Sequence, residues 1–220
     1  MFQCYLRAVT DMPLSGRRAQ AQRNHRRILD AAREVFLADP DAPISDVATR
    51  AGVGISALYR RYPSKEHLLR ALASDGLTRY IADLQAGLDS DADPWTSYVE
   101  CLHRVIDGRS QALAQRLAGT FTPTPELTAL AERAAHLEQM LFRRTRRSGD
   151  LRDDVSEADI ILLMEALMLV KLPGGDADSS LRHRYLALLL QALHNPVEAN
   201  LPGPAAKQSD LALRWRTRAR

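Results

Sequence analysis

Catalytic chemistry finds little to work with in this sequence. Its six histidines, His25, His67, His103, His136, His183 and His194, show no HExxH-like spacing. Cys101 and His103 stand two apart, and a helix sends such neighbours to different sides. No phosphate loop, dinucleotide fingerprint or nucleophile elbow is present in the chain. No catalytic residue, metal ligand or cofactor site is therefore expected. The residues with a coherent chemical use are basic and aromatic. Tyr59, Arg60, Arg61 and Lys65 fall within AGVGISALYRRYPSKEHLL, residues 51–69. Upstream, Arg17, Arg18, Arg23, Arg26 and Arg27 occupy an eleven-residue stretch without one acid. Guanidinium, ammonium and phenol groups suit phosphate oxygens, and guanidinium also suits the edge of guanine. The formal net charge is only +3, so the asymmetry is local, as a polyanion partner needs.

Such groups need elements that present them together. Ile28, Ala31, Ala32, Val35 and Phe36 recur at helical spacing within about 20–38, and Asp39-Pro40-Asp41-Ala42-Pro43 breaks that helix. A short helix is expected at about 44–51, with Pro43 acceptable at its first position. Gly52 can take the left-handed conformation that ends a helix. A second short helix follows at 55–61 and stops at Pro63. Two short helices around a glycine turn form a helix-turn-helix, whose first helix crosses the DNA backbone while the second lies in the major groove. Val47, Ala48, Ala51, Val53 and Leu58 supply the apolar contacts between them. The open side of the second helix is then Gly54, Ile55, Ser56, Ala57, Tyr59, Arg60 and Arg61. Small residues there let backbone approach base edges, and Tyr59 offers a hydroxyl to phosphate. Lys65 sits at the N-terminus of the next helix, which itself attracts anions. Arg17 and Arg18 are candidates for an arm entering the minor groove, with a basic leader of no specific use as the equal alternative.

The wording of this segment resembles a family. VATRAGVGISALYRRYPSKEHLL is similar to the DNA-binding segment of the TetR family of bacterial transcriptional regulators. Val47-Ala48, Ala51-Gly52-Val53, Leu58-Tyr59, Tyr62 and Lys65-Glu66 occupy the family's places, and ILDAAREVFL resembles its first helix. The resemblance implies an all-α fold of nine helices and a homodimer in which each subunit reads half of a palindromic operator. It also implies a small-molecule inducer bound in the C-terminal body. By position it implies phosphate contact for Tyr59 and Lys65, and groove contact for Ser56, Ala57 and Arg61. Two departures matter. Pro43 stands where a hydroxyl residue is common, so Ser45 is the expected substitute. Arg61 and Tyr62 stand where His and Phe are common, so base preference cannot be carried over.

Beyond the motif, 220 residues with 45% hydrophobic and 5% aromatic content suit a helical body. Helices are expected at about 65–88, 94–108, 110–119, 125–147, 156–172 and 178–193. Gly87 and the acidic DSDADP segment are expected to close the first of these. The domains are then a disordered leader 1–16, a DNA-binding domain 17–63, a regulatory and dimerisation body 64–194 and a mobile basic tail 195–220. Met12 opens a more usual start, so residues 1–11 are expected to be an extension upstream of it. IILLMEALMLV and YLALLLQAL are apolar on nearly every side and call for a partner subunit, a plain buried core being the alternative. Neither is long enough to cross a bilayer. Two distant cysteines form no disulfide framework, and a cytoplasmic setting is expected. Pocket candidates are Tyr98, His103, Met140, Met164, Glu165 and Met168. Arg143, Arg144, Arg146 and Arg147 are expected to form a solvated face. The rival reading is a helical protein–protein adaptor whose helix-turn-helix is purely structural.

Overall fold

The computed structural model describes residues 16–108, 117, 119–169, 176–194, 201–207 and 209. Side chains at 16–18, 169 and 176–179 lie outside that description, as does most of the helix expected at 110–119. Eight helices and no strand occur among the described residues, and the chain divides into two compact units, Met1–Pro63 and Ser64–Arg220.

The first unit holds α1 (Gly16–Ala38), α2 (Ile44–Ala51) and α3 (Ile55–Arg61). The apolar stripe of α1 buries Ile28, Leu29, Ala31, Ala32 and Phe36. Against it lie Ala42, Ile44, Val47, Ala48 and Ala51, with Leu58 and Tyr62 closing the core. α1 begins about four residues earlier than its apolar periodicity indicates. Polar residues from 16 to 27 sustain the helix where no buried stripe would reveal it.

The second unit begins with α4 (Lys65–Leu88). Ser64 caps it, its hydroxyl accepting from the His67 amide. α5 (Pro94–Gly108) starts where the Asp93 carboxylate accepts from the Thr96 amide at 2.9 Å, a bond that holds Asp93 below the usual carboxylate range. α6 (Pro125–Ser148) has Thr124 as N-cap and ends at Gly149, φ 84°. α7 (Glu157–Leu169) opens on a capping box in which Asp159 replaces the usual glutamate. The Ser156 amide donates to Asp159 Oδ2 at 2.8 Å, and the Asp159 amide donates to Ser156 Oγ at 3.1 Å. α8 (Asp176–Leu193) completes the order.

Three expectations change here. Gly87 does not end α4: it is buried inside the helix, and a Cβ there would lie 3.3 Å from both Cys101 Cβ and a Leu141 methyl. It is the point where α4, α5 and α6 approach closely. Arg144 and Arg146 are not simply solvated. Arg144 donates to the Gly87, Leu88, Ser90 and Ala92 carbonyls at 2.8–3.3 Å, satisfying groups that the end of α4 leaves open. Arg146 donates to the Val155 carbonyl at 2.9 Å. Finally, part of the tail is tied down. The Leu201 amide donates to Asp154 at 2.7 Å, the Ala206 amide to Asp159 at 2.9 Å, and Ser156 Oγ to the Ala206 carbonyl at 2.8 Å. Most of the remaining tail, and the leader 1–15, lie outside the described residues.

Candidate nucleic-acid interface

The turn between α2 and α3 is built on one glycine. Gly52 has φ 61°, and the Gly52 and Val53 amides donate back to the Thr49 and Ala48 carbonyls. A Cβ at Gly52 would also lie 2.8 Å from Arg27 Nη2, which reaches from α1 and donates to the Ala51 carbonyl at 2.7 Å. Glycine is thus required by backbone conformation, and a side chain there would also push the Arg27 terminus aside. Gly54 is different. Its φ is −64°, ordinary for any residue, and a Cβ there would meet nothing within 4 Å.

Leu58 is fully buried and seats α3. The opposite side of α3 is exposed: Ile55, Ser56, Ala57, Tyr59, Arg60 and Arg61 all face solvent, as does Gly54. Tyr59 is 46% exposed, and its hydroxyl has no hydrogen-bond partner among the described residues. An exposed aromatic beside two arginines is poor packing material and a ready phosphate and base surface. Ser45 is exposed on α2, its hydroxyl donating to Asp46 at 3.3 Å. Lys65, half-buried, is the first residue of α4 and belongs to the second unit. Arg17 and Arg18 fall on α1, their side chains outside the described residues.

The pocket candidates do not converge. Tyr98 and Met164 line a small closed cavity of about 20 Å³, together with Tyr80, Cys101 and Glu138. Glu138 takes a hydrogen bond from Tyr80; burial, with Glu157 and Glu165 nearby, pushes its pKa up to about 7. Burial, opposed by Arg104 and helped by Asp83 and Glu138, pushes the Cys101 thiol up to about 12. His103 instead borders an open apolar cleft of about 410 Å³ beside Trp95 and Leu190. Its ring stacks on His183, with Nδ1 atoms 2.7 Å apart, and His183 Nε2 meets Asp107 at 2.8 Å. Burial and the second imidazole lower the His103 pKa. Met168 is core, Glu165 is half-buried on α7, and Met140 is 46% exposed, so it lines neither space. Periodicity marks a side as buried without telling core from cavity, which is why these six scattered. Glu138 had a readable signal: it lies four residues after Ala134 and three before Leu141, on the buried stripe of α6.

A glycine-turned pair of short helices with a basic, aromatic outer face defines a helix-turn-helix regulatory domain. Residues 28–72 match the model of bacterial regulatory proteins of the tetR family. Over this segment the chain is similar to the tetR family of bacterial regulatory proteins. It is 40% identical over 89 residues to the HTH-type transcriptional repressor LfrR of Mycolicibacterium smegmatis, covering 40% of this chain and 44% of LfrR. Over 56 residues it is 41% identical to an uncharacterized HTH-type transcriptional regulator, TtgW of Pseudomonas putida, covering 24% of this chain and 42% of that one. The chain thus spans less than half the length of these curated relatives. Among solved structures, LfrR from Mycobacterium smegmatis in complex with proflavine superposes with TM-score 0.58 at 22% identity, over 80% of this chain and 99% of that one. The ketosteroid transcriptional regulator KstR2 of Mycobacterium tuberculosis gives 0.58 at 20% identity, over 83% and 97%. At such identities the likeness concerns the fold alone.

Proposed function

We propose that this protein is a DNA-binding transcriptional repressor that acts as a homodimer on a palindromic operator and is released by a small-molecule inducer. The observation that carries the reading is the face of α3. Buried Leu58 holds the helix, and the exposed side offers Tyr59, Arg60 and Arg61, with nothing among the described residues of the first unit to cover Tyr59. Arg60 and Arg61, with Ser45, Tyr59 and Lys65, supply phosphate affinity. Gly54, Ile55, Ser56, Ala57 and Arg61 meet the groove, and Arg17 and Arg18 follow the backbone or the minor groove.

Dimerisation falls to α7 and α8, where Leu163, Tyr185 and Leu188 stand exposed. The inducer is a small organic molecule, and the space it opens is the cavity around Tyr80, Tyr98, Glu138 and Met164. A polar anchor set in apolar walls is what a binding site needs. α4 carries Lys65 at one end and the close-packed Gly87 at the other, so ligand entry into the body bears on the same helix as a phosphate contact. Release requires the inducer to favour a body arrangement incompatible with DNA. The protein works beside its DNA, in the cytoplasm; no described helix is long and apolar enough to cross a membrane.

Electrophoretic retardation on genomic fragments tests the reading. Wild type is expected to bind with a steep negative dependence on salt. Tyr59→Ala combined with Lys65→Ala is expected to abolish retardation and leave dimerisation intact. Salt-independent behaviour, or full binding by the double variant, favours the adaptor with a structural helix-turn-helix.

A further inference from the structure

We propose that His25 is a positioning residue that presents the Arg61 guanidinium to DNA, and that it does so only while neutral. The proposal deepens the DNA-binding reading and rests on it.

The geometry is local to the first unit. His25 sits half-buried on α1, three and four residues before the buried Ile28 and Leu29. Its Nδ1 lies 2.6 Å from the Tyr62 hydroxyl and 3.3 Å from Arg61 Nε. The imidazole and phenol rings stack at 6.2 Å, and the Arg61 guanidinium lies 6.0 Å from the Tyr62 ring centre. Three side chains from the two ends of the unit's sequence thus form one cluster at the C-terminus of α3.

Protonation follows from the donors. An arginine Nε–H can only donate, so Nδ1 must offer its lone pair. The Tyr62 hydroxyl, 2.6 Å from the same atom, then shares that single lone pair, and the ring proton belongs on Nε2. Arg61 is held by Nε while neither Nη hydrogen-bonds within the described residues. That leaves the terminal fork free for two parallel bonds to a phosphate or to guanine O6 and N7. Anchoring one nitrogen removes rotamer freedom before DNA arrives, which strengthens binding without a new contact.

A proton on Nδ1 undoes this. The lone pair is consumed, Arg61 loses its acceptor, and a second cation stands beside the guanidinium. Arg61 and Tyr62 are ionisable groups set against the ring from the end of α3. On α1 itself the positions three and four residues away are Ala21, Gln22, Ile28 and Leu29, none of them charged. The consequence is opposite in sign to ordinary electrostatics. Extra positive charge at low pH normally tightens DNA binding. Here, loss of the positioned fork weakens it once falling pH puts a proton on the imidazole.

The test uses a duplex selected by the wild-type protein from a random-sequence pool at pH 8, with affinity measured at fixed salt from pH 8 to 5.5. Wild type is expected to lose roughly ten-fold in affinity over that range, the worth of one good bidentate contact. His25→Asn, whose Oδ1 falls near the Nδ1 position but does not titrate, is expected to bind like wild type at pH 8 and to stay flat. His25→Phe is expected to bind weakly at both pH values, and combining it with Arg61→Ala is expected to cost no more than Arg61→Ala alone. Equal or tighter wild-type binding at pH 5.5, an unchanged profile in His25→Asn, or additive losses in the double variant would overturn the positioning role while leaving the DNA-binding reading standing. A pool that yields no enriched sequence takes down both.

Discussion

Two groups of arginines stand at helix C-termini in this molecule and do opposite things. In the head, Arg60 and Arg61 end α3 and face solvent. In the body, Arg144 and Arg146 lie in the last turns of α6 and turn onto backbone carbonyls. Residue type and helical position are alike; the supply of open acceptors is not. The end of α4 leaves carbonyls that Arg144 can take, four at once, whereas Arg61 meets a single imidazole lone pair and keeps its fork free. A basic cluster therefore signals a polyanion surface only where the fold offers it no carbonyls.

The largest expected effect breaks the body's side of this contrast. Arg144→Ala takes their side-chain donor from the Gly87, Leu88 and Ser90 carbonyls at the α4–α5 junction, while Ala92 keeps the Ser97 hydroxyl. A loss of about 3 kcal/mol is expected, since unmade hydrogen bonds at half-buried groups cost on the order of 1–3 kcal/mol each and water recovers part. Arg61→Ala is expected to change stability by less than about 0.5 kcal/mol while weakening DNA binding. Denaturant unfolding beside retardation separates the two. Equal stability of both variants would collapse the distinction.

Next comes the pair of glycines. Gly52→Ala forces a side chain into φ 61° and toward Arg27 Nη2. Destabilisation of the first unit by about 1–2 kcal/mol is expected, read by the melting of the wild-type and variant proteins. Arg27→Ala relieves the clash but not the backbone strain. It also leaves the Ala51 carbonyl without a donor, so the two substitutions together are not expected to restore wild-type stability.

Much of the head was legible because its constraints are local. Gly52 must be glycine for the turn, Leu58 must be apolar to seat α3, and Pro63-Ser64 must stop one helix and cap the next; each leaves a mark in one residue. The cluster of His25, Tyr62 and Arg61 was not legible, because His25 lies 37 residues from Tyr62 and no spacing rule joins them. In the body, capping boxes and proline starts placed the helices, yet the cavity did not show. Tyr80, Tyr98 and Glu138 come from three helices, and the buried side of a helix reads the same whether it meets a neighbour or a void. Met140 was drawn into the candidate pocket by type alone, and lies at the surface.

Glu138 offers a smaller, pH-dependent test of the body. Its folded pKa of about 7 is raised above the usual carboxylate value of 4.5. A raised carboxyl contributes its full stability below the unfolded pKa and loses it as pH rises through the folded one. Glu138→Gln keeps an acceptor for Tyr80 and carries no charge. It is expected to melt with wild type near pH 4 and above it at pH 8, by about 2–4 °C for roughly 1 kcal/mol. A variant less stable than wild type at pH 8 would show that the carboxylate has a cationic partner in the body.

The smallest expected change in stability is at Gly54, and there the head gives its sharpest answer. Its backbone is ordinary and the space for a Cβ is empty, but it is the N-cap of α3, where alanine is a poorer cap than glycine, so Gly54→Ala should lower stability by less than about 1 kcal/mol. Neither backbone strain nor a clash asks for glycine at this position. If retardation nevertheless weakens ten-fold or more, the missing side chain is required by DNA, and the N-terminus of α3 comes close enough for backbone to meet base edges. If binding is also unchanged, the reading surface begins one turn later, with Tyr59, Arg60 and Arg61. Gly52 and Gly54, two residues apart, then separate what the fold needs from what its partner needs.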